Sequence, residues 1–269
     1  METILSDAPR GLRRVEHIMG MPIIVDVRDP DVDPAALDRV FDWLRVVDAT
    51  FSTYRPDSDI SRLNRGELTL AGAHPDVLAV LERCEQLRVE TNGYFDIRAP
   101  FLSRQETGAD AAHPPGVGDP SGLVKGWSVD RAARILDAAG ALNYCINAGG
   151  DIRVRGYPAP APCWRVGIQH PTLRDRVAAV VTANDLAIAT SGAYERGAHI
   201  VDPRTGQVPT GVLSVTIVGP DLATADAYAT AAYAMGRAGP AWTARLAGYE
   251  AMTILEDQTV LSTPAFPAA

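Results

Sequence analysis

The stretch LSVTIVGPDLATADAYATAAYAMG (213–236) sets a strand directly before a helix. Leu213 to Val218 is short and β-branched, as a strand requires, whereas Thr224 to Met235 is alanine-rich and helical, with Thr224 placed to cap it. The same alternation runs outward in both directions. Upstream lie strand-like runs at 186–189, 177–181, 164–168, 152–155 and 143–147, and downstream one at 251–255. Helical spacing of apolar residues marks Asp33 to Ala49, through Leu37, Val40, Phe41, Leu44 and Val47. It returns over Pro75 to Glu90 and over Gly126 to Ala139, each followed closely by a glycine stop. PIIVDVR (22–28) reads as an early strand, and FSTYRPDSDISRLN (51–64) as a polar loop. The mixture predicts an α+β globule of mixed sheets and packed helices, a single domain over 1–269. The segment 97–118, most of it rich in proline and glycine and without apolar period, reads as a loop or lid.

Composition narrows the function. The chain has 269 residues and a net charge of −8, with 33 acidic residues against 24 arginines and one lysine, Lys125. Such a balance argues against a partner reached through nonspecific phosphate contacts, so neither nucleic acid nor an anionic membrane surface is expected. The hydrophobic fraction of 46% supports a buried core. Cys84, Cys145 and Cys163 are odd in number and widely spaced, so they predict buried apolar thiols instead of disulfides or a zinc site. No apolar leader segment and no run of about 18 apolar residues occurs, which predicts a soluble, cytoplasmic protein without a membrane span.

Four constellations could carry chemistry. Asp226 and Thr230 stand four residues apart on a helix, so their oxygens project from one face as two hard ligands for Mg²⁺ would. The same pair also suits an acidic residue at a helix start and a threonine bonded to its own backbone. NAGGDI (147–152) reads first as a plain tight hairpin turn, whose glycines would also let backbone amides approach a phosphate. In TSGAYERGAHIVDPRTG (190–206), His199 sits between two polar turns, where it is either a proton acceptor or a structural histidine. Lys125, in DPSGLVKGWSVD (119–130), precedes a helix expected to open at Gly126, and a cation at a helix N-terminus makes an anion site. Arginine-biased composition is the plainer account of a lone lysine. Phosphate-loop, dinucleotide-fingerprint, zinc-protease and serine-hydrolase motifs are absent.

In order, MGMPIIVDV (19–27), FSTYRPDSDISRLN, GYFD (93–96), KGWSVDRAARIL (125–136), NAGGDI, AIATSGAYER (187–196), HIVDPRTG (199–206) and TADAYATAAYAMG (224–236) resemble the FAD:protein FMN transferases, the ApbE-like flavin transferases. The resemblance spans about residues 19 to 255. It implies a T-fold-related, two-lobed globule that takes FAD as substrate and uses Mg²⁺. Such an enzyme moves the FMN half of FAD to a threonine or serine hydroxyl of an acceptor protein and releases AMP.

Carried over position by position, the resemblance assigns Mg²⁺ to Asp226, Thr230 and the Gly122 carbonyl, and the base that deprotonates the acceptor hydroxyl to His199. Met19, Tyr54, Tyr94, Phe95 and Asp96 are expected at the flavin nucleotide, with Asp119, Lys125 and Ile200 bordering it. The segment between GYFD and Asp119 is shorter than is usual in that family. An FAD pyrophosphatase releasing FMN and AMP, or a noncatalytic FAD-binding protein, would use the same cleft.

Overall fold

The computed structural model describes residues 11–99, 116–173, 175–192 and 200–269. β1 (Leu12–Ile18) turns through Met19 and Gly20 into β2 (Met21–Val27), whose Met21, Ile23, Val25 and Val27 all point inward. α1 (Ala35–Phe51) follows, burying the apolar stripe seen in its spacing. After it come α2 (Asp59–Asn64), α3 (Pro75–Glu90) and α4 (Ser121–Ala138). The chain then enters the β hairpin of β3 (Tyr144–Ala148) and β4 (Asp151–Arg155). Gly149 and Gly150, at φ of 58° and 96°, form its two-residue turn, a conformation closed to most side chains. β5 (Trp164–Gln169), β6 (Val177–Ala183), β7 (Leu186–Gly192) and β8 (Val212–Gly219) lead to α5 (Leu222–Ala234) and the short α6 (Gly239–Thr243). β9 (Glu250–Leu255) and β10 (Val260–Ser262) complete the order.

Eight strands make one antiparallel sheet in the order β1-β2-β3-β4-β7-β8-β9-β10, and β5 pairs with β6 in a second, two-stranded sheet. The period of two sorts the central strands between two cores. Ala187 and Ala189 of β7 join Ile146 and Ile217 against α1, α4 and α5, while Ile188 between them joins Val154, Val218 and Ile254 against Trp164, Val166 and Val181 of the small sheet. A third cluster lies among the helices, where Val47, Ile60, Leu87, Leu123 and Ala231 meet. Each large aliphatic side chain buried this way is worth roughly 1.5–3 kcal/mol. The α+β architecture expected from the sequence is present.

Several boundaries differ from expectation for identifiable reasons. The helix expected to open at Gly126 begins at Ser121, so Lys125 lies in its second turn and not ahead of its N-terminus. Gly126 does not start the helix; it lets two helices touch. A Cβ built there would fall 2.3 Å from the Leu222 carbonyl oxygen and 2.7 Å from its carbon, both backbone atoms of α5. The α5 cap is Asp221, whose carboxylate accepts from the Thr224 amide at 2.8 Å, and not Thr224 itself. Asp130 of α4 adds a second carboxylate, accepting from Leu222 and Ala223. Burial pushes the Asp130 carboxyl above its usual range, against the opposing pull of those amides.

Within the expected loop 51–64, Ser58 accepts from the Ser61 amide and starts α2, which is too short to show a period. β1 went unread because its inward positions include Arg14 and Glu16, which break the apolar alternation. Among the thiols, Cys84 is buried, whereas Cys145 and Cys163 are only half-buried. Desolvation pushes Cys84 and Cys145 up to about 12, so neither is a thiolate at neutral pH. Of the 97–118 segment, residues 100–115 lie outside the described residues; its ends are joined by the Asp119 amide donating to Ile97 at 2.7 Å.

The helix contact is open to direct test. Gly126→Ala is expected to destabilise the protein by about 1–3 kcal/mol, because backbone atoms must move to admit the methyl group. The denaturant midpoint measures it, and an unchanged midpoint would show that the helices separate freely.

Candidate active site

Between the helices and the ends of β1, β2 and β7 lies a cleft of about 460 Å³. Its floor is built by α4 and α5. The Asp226 carboxylate is 4% exposed and accepts from the Gly126 amide at 3.2 Å, a bond that only the close helix crossing allows. One turn later on α5, the Thr230 hydroxyl lies 3.4 Å from the Ser191 hydroxyl at the end of β7. Gly122 faces the same threonine, since a Cβ built on it would sit 3.5 Å from Thr230 Oγ1 and 3.2 Å from the Phe95 ring. Asp226, Thr230 and Gly122 thus line one cleft, with a carboxylate and a hydroxyl on α5 and the backbone of Gly122 beside Thr230. Hard oxygen donors of this kind suit Mg²⁺.

The place also attracts positive charge. Lys125 Nζ stands 2.8 Å from Asp151 and 3.8 Å from Asp226, so an ammonium is already drawn up to the carboxylates. Asp151 is 1% exposed, and its other oxygen accepts from the Thr190 amide at 3.3 Å. A buried carboxylate without such partners would cost several kcal/mol. Asp151 closes the NAGGDI turn, and its place beside Lys125 depends on a β7 contact 39 residues away that no local pattern shows. Ser191, in the polar run at the end of β7, likewise meets Thr230 only through the tertiary fold.

Aromatic and apolar groups form the other walls. Tyr54 is 92% exposed at the mouth, which rules out ordinary packing at a loop base. Its loop is held by the Ser58 and Ser61 hydroxyls, both donating to the Ser52 carbonyl. Phe95 is buried, with its amide donating to Thr91 Oγ1 at 2.9 Å. Tyr94, beside it, lies under the Arg204 guanidinium, 4.0 Å from ring centroid to Cζ. Arg204 also donates to the Asn92 carbonyl at 2.6 Å, so the 200–206 turn that brings Ile200 and Pro203 into the wall is clamped to the Tyr94 loop. Met19 reaches the cleft from the β1–β2 turn at φ 55°, a left-handed conformation that costs a non-glycine residue roughly 1–2 kcal/mol.

Asp96 and Asp119 line the cleft as well. Burial works to raise the Asp96 carboxyl, but hydrogen bonds from Arg98 outweigh it and hold the group below its ordinary value. Every sequence-predicted site residue except one lies on this cleft; His199 is outside the described residues.

Among the described lining residues, four carboxylates (Asp48, Asp96, Asp119, Asp226) face a single ammonium, that of Lys125. An anionic ligand enters such a cleft most readily with a divalent cation. The sequence model of the ApbE family matches residues 19–115 and 113–253. The chain belongs to the ApbE family. A relative from Vibrio cholerae, an FAD:protein FMN transferase, is 30% identical over 237 residues, covering 72% of this chain and 71% of that protein. Another FAD:protein FMN transferase, from Haemophilus influenzae, is 27% identical over 243 residues, covering 72% and 70%. The solved structure of the flavin transferase ApbE from Vibrio cholerae superposes with a TM-score of 0.80 at 26% identity, over 96% of this chain and 98% of that one. The ApbE protein of Thermotoga maritima, at 21% identity, shares the fold with a TM-score of 0.82 over 95% and 97% of the two chains. Within this ApbE fold, no helix among the described residues is long and apolar enough to cross a membrane.

The Arg204 clamp makes a local prediction. Arg204→Gln removes a cation–π contact and two charged hydrogen bonds, to the Tyr94 hydroxyl and the Asn92 carbonyl, together about 1–2 kcal/mol at this exposed site. Amide exchange at Asp202 to Gly206 should quicken by roughly tenfold, and unchanged protection would mean that the turn is held by other contacts.

Proposed function

We propose that this protein transfers the FMN moiety of FAD to a threonine or serine hydroxyl of an acceptor protein and releases AMP, with Mg²⁺ as cofactor. The observation that carries the reading is the convergence of Asp226, Thr230 and Gly122 beside Lys125 in an aromatic-walled cleft. Membership of a family whose relatives are FAD:protein FMN transferases agrees with it.

Asp226, Thr230 and the Gly122 carbonyl would hold the metal, which when bound neutralises charge on the diphosphate and on the departing phosphate. The remaining work falls to the chain's own groups. Tyr54, Tyr94 and Met19 bind the flavin nucleotide, Phe95 and Ile200 keep the cleft apolar, and Lys125 faces the diphosphate as a compact cation. Asp96 and Asp119 border the nucleotide at the cleft edge. His199, next in sequence to Ile200, takes the proton of the acceptor hydroxyl. That oxygen forms the new bond to the FMN phosphorus, the bond to the AMP phosphate breaks, and AMP leaves with its electron pair. Asp226 is barely exposed and accepts from a backbone amide, so its carboxylate keeps its orientation between turnovers.

The direct test incubates the protein with FAD, Mg²⁺ and a candidate acceptor. Flavin fluorescence that survives denaturation on the acceptor, with AMP released in equal amount, is the expected outcome, whereas AMP without labelled protein would identify a pyrophosphatase. Asp226→Ala should abolish metal-dependent AMP release, and retained activity would remove the metal assignment. His199→Ala is expected to lower turnover by about 10²–10⁴ while FAD affinity measured by fluorescence quenching stays nearly constant.

A further inference from the structure

Lys125 sits between two carboxylates with different surroundings. Asp226 lines the cleft, but Asp151 does not: it lies below, at the end of the Gly149-Gly150 turn, fixed by the Thr190 amide. The shorter contact, 2.8 Å, is to Asp151, and the longer, 3.8 Å, is to Asp226. Lys125 is thus tethered from beneath by a residue that cannot itself reach a ligand in the cleft. Its side chain is about four-fifths buried, which limits where the ammonium can go.

We infer that Asp151 is a positioning residue that restrains the Lys125 ammonium from closing on Asp226, so that lysine and metal compete for the Asp226 carboxylate and an anionic diphosphate relieves the competition by engaging the lysine. The inference rests on Asp226 being a metal ligand, as proposed above. Like charges that share one carboxylate oppose each other's binding, and a diphosphate that draws the ammonium toward itself leaves the carboxylate to the metal. Substrate and metal then bind with positive coupling, beyond any direct bond between them. Asp151 sets the starting point: with it present, the lysine is held mostly away from Asp226, and without it Asp226 is the remaining carboxylate that the described ion pairs place near the ammonium.

The experiment measures Mn²⁺, a paramagnetic stand-in for an oxygen-ligated Mg²⁺, binding to the whole protein by electron paramagnetic resonance of the free ion, with and without FAD. Lys125→Met should bind Mn²⁺ without FAD about tenfold more tightly than the parent, and FAD should strengthen that binding less than it does in the parent. Asp151→Asn, nearly isosteric, should bind Mn²⁺ about fivefold more weakly in the absence of FAD. In the Lys125→Met background the same Asp151→Asn change should have an effect of less than about twofold, because Asp151 then has no lysine to act through. An equal weakening in both backgrounds would show that Asp151 acts on the metal by its own field, and the inference would fail. So would Mn²⁺ affinity unchanged in both single variants. If Lys125→Met does not fold, Lys125→Gln takes its place in the cycle, and unaltered Mn²⁺ affinity in Asp151→Asn is by itself sufficient to overturn the inference. Asp226→Ala separates the two levels of the argument: lost Mn²⁺ binding keeps the metal assignment whatever Lys125 does, and retained binding overturns that assignment and the inference with it.

Discussion

The close crossing of α4 and α5 at Gly126 is the constraint on which the site depends. Because that residue has no side chain, the backbone of Leu222 lies against it, and the Gly126 amide can reach the Asp226 carboxylate. The crossing also sets Gly122, one turn before Gly126, opposite Thr230, one turn after Asp226. A wider separation would leave a buried carboxylate without its amide and the candidate ligands out of reach of one another. Asp130 reinforces the arrangement by capping α5 from α4, so the two helices are joined by hydrogen bonds as well as by packing.

The sheet supplies the second half. Strands that are buried on both faces hold the β3–β4 turn and the end of β7 in fixed relation, and Asp151 records that relation by bonding Thr190 on one side and Lys125 on the other. The helical floor and the strand ends therefore meet through a lysine, which must satisfy acidic groups from both. Among the described lining residues of this acidic protein, the positive charge of the cleft is concentrated in that one lysine.

The fold was legible wherever a period ran for several turns or strands. α1, α3 and the central strands appear within a few residues of their expected bounds, because apolar spacing reports directly on which face is buried. Elements whose reason is tertiary were not legible. The start of α4 was misplaced because a glycine is read as a breaker in sequence, whereas here it serves a contact with a helix about 100 residues later. β1 hides its period behind Arg14 and Glu16, which face inward yet form ion pairs with Asp38 and Arg45. At the site, Asp226 and Thr230 pair from spacing alone and Lys125 stands out as a cation near a helix start, but Tyr54 and Tyr94 gain their places only through the family resemblance. The role of Asp151 depends on which strand lies beside it, and that is information no local pattern carries.

One small contact bears on how such a chain can vary. The Asn64 side chain donates to the Gly118 carbonyl and accepts from the Gly118 amide, both at 3.0 Å, in the manner of a neighbouring strand. Together with the bond from Asp119 to Ile97, it fixes the residues just ahead of α4 to α2 and to the Phe95–Ile97 wall. The start of α4, and with it Gly122 in the cleft wall, is therefore held from α2, whose side chains do not line the cleft, so variation at Asn64 reaches the cleft without touching it.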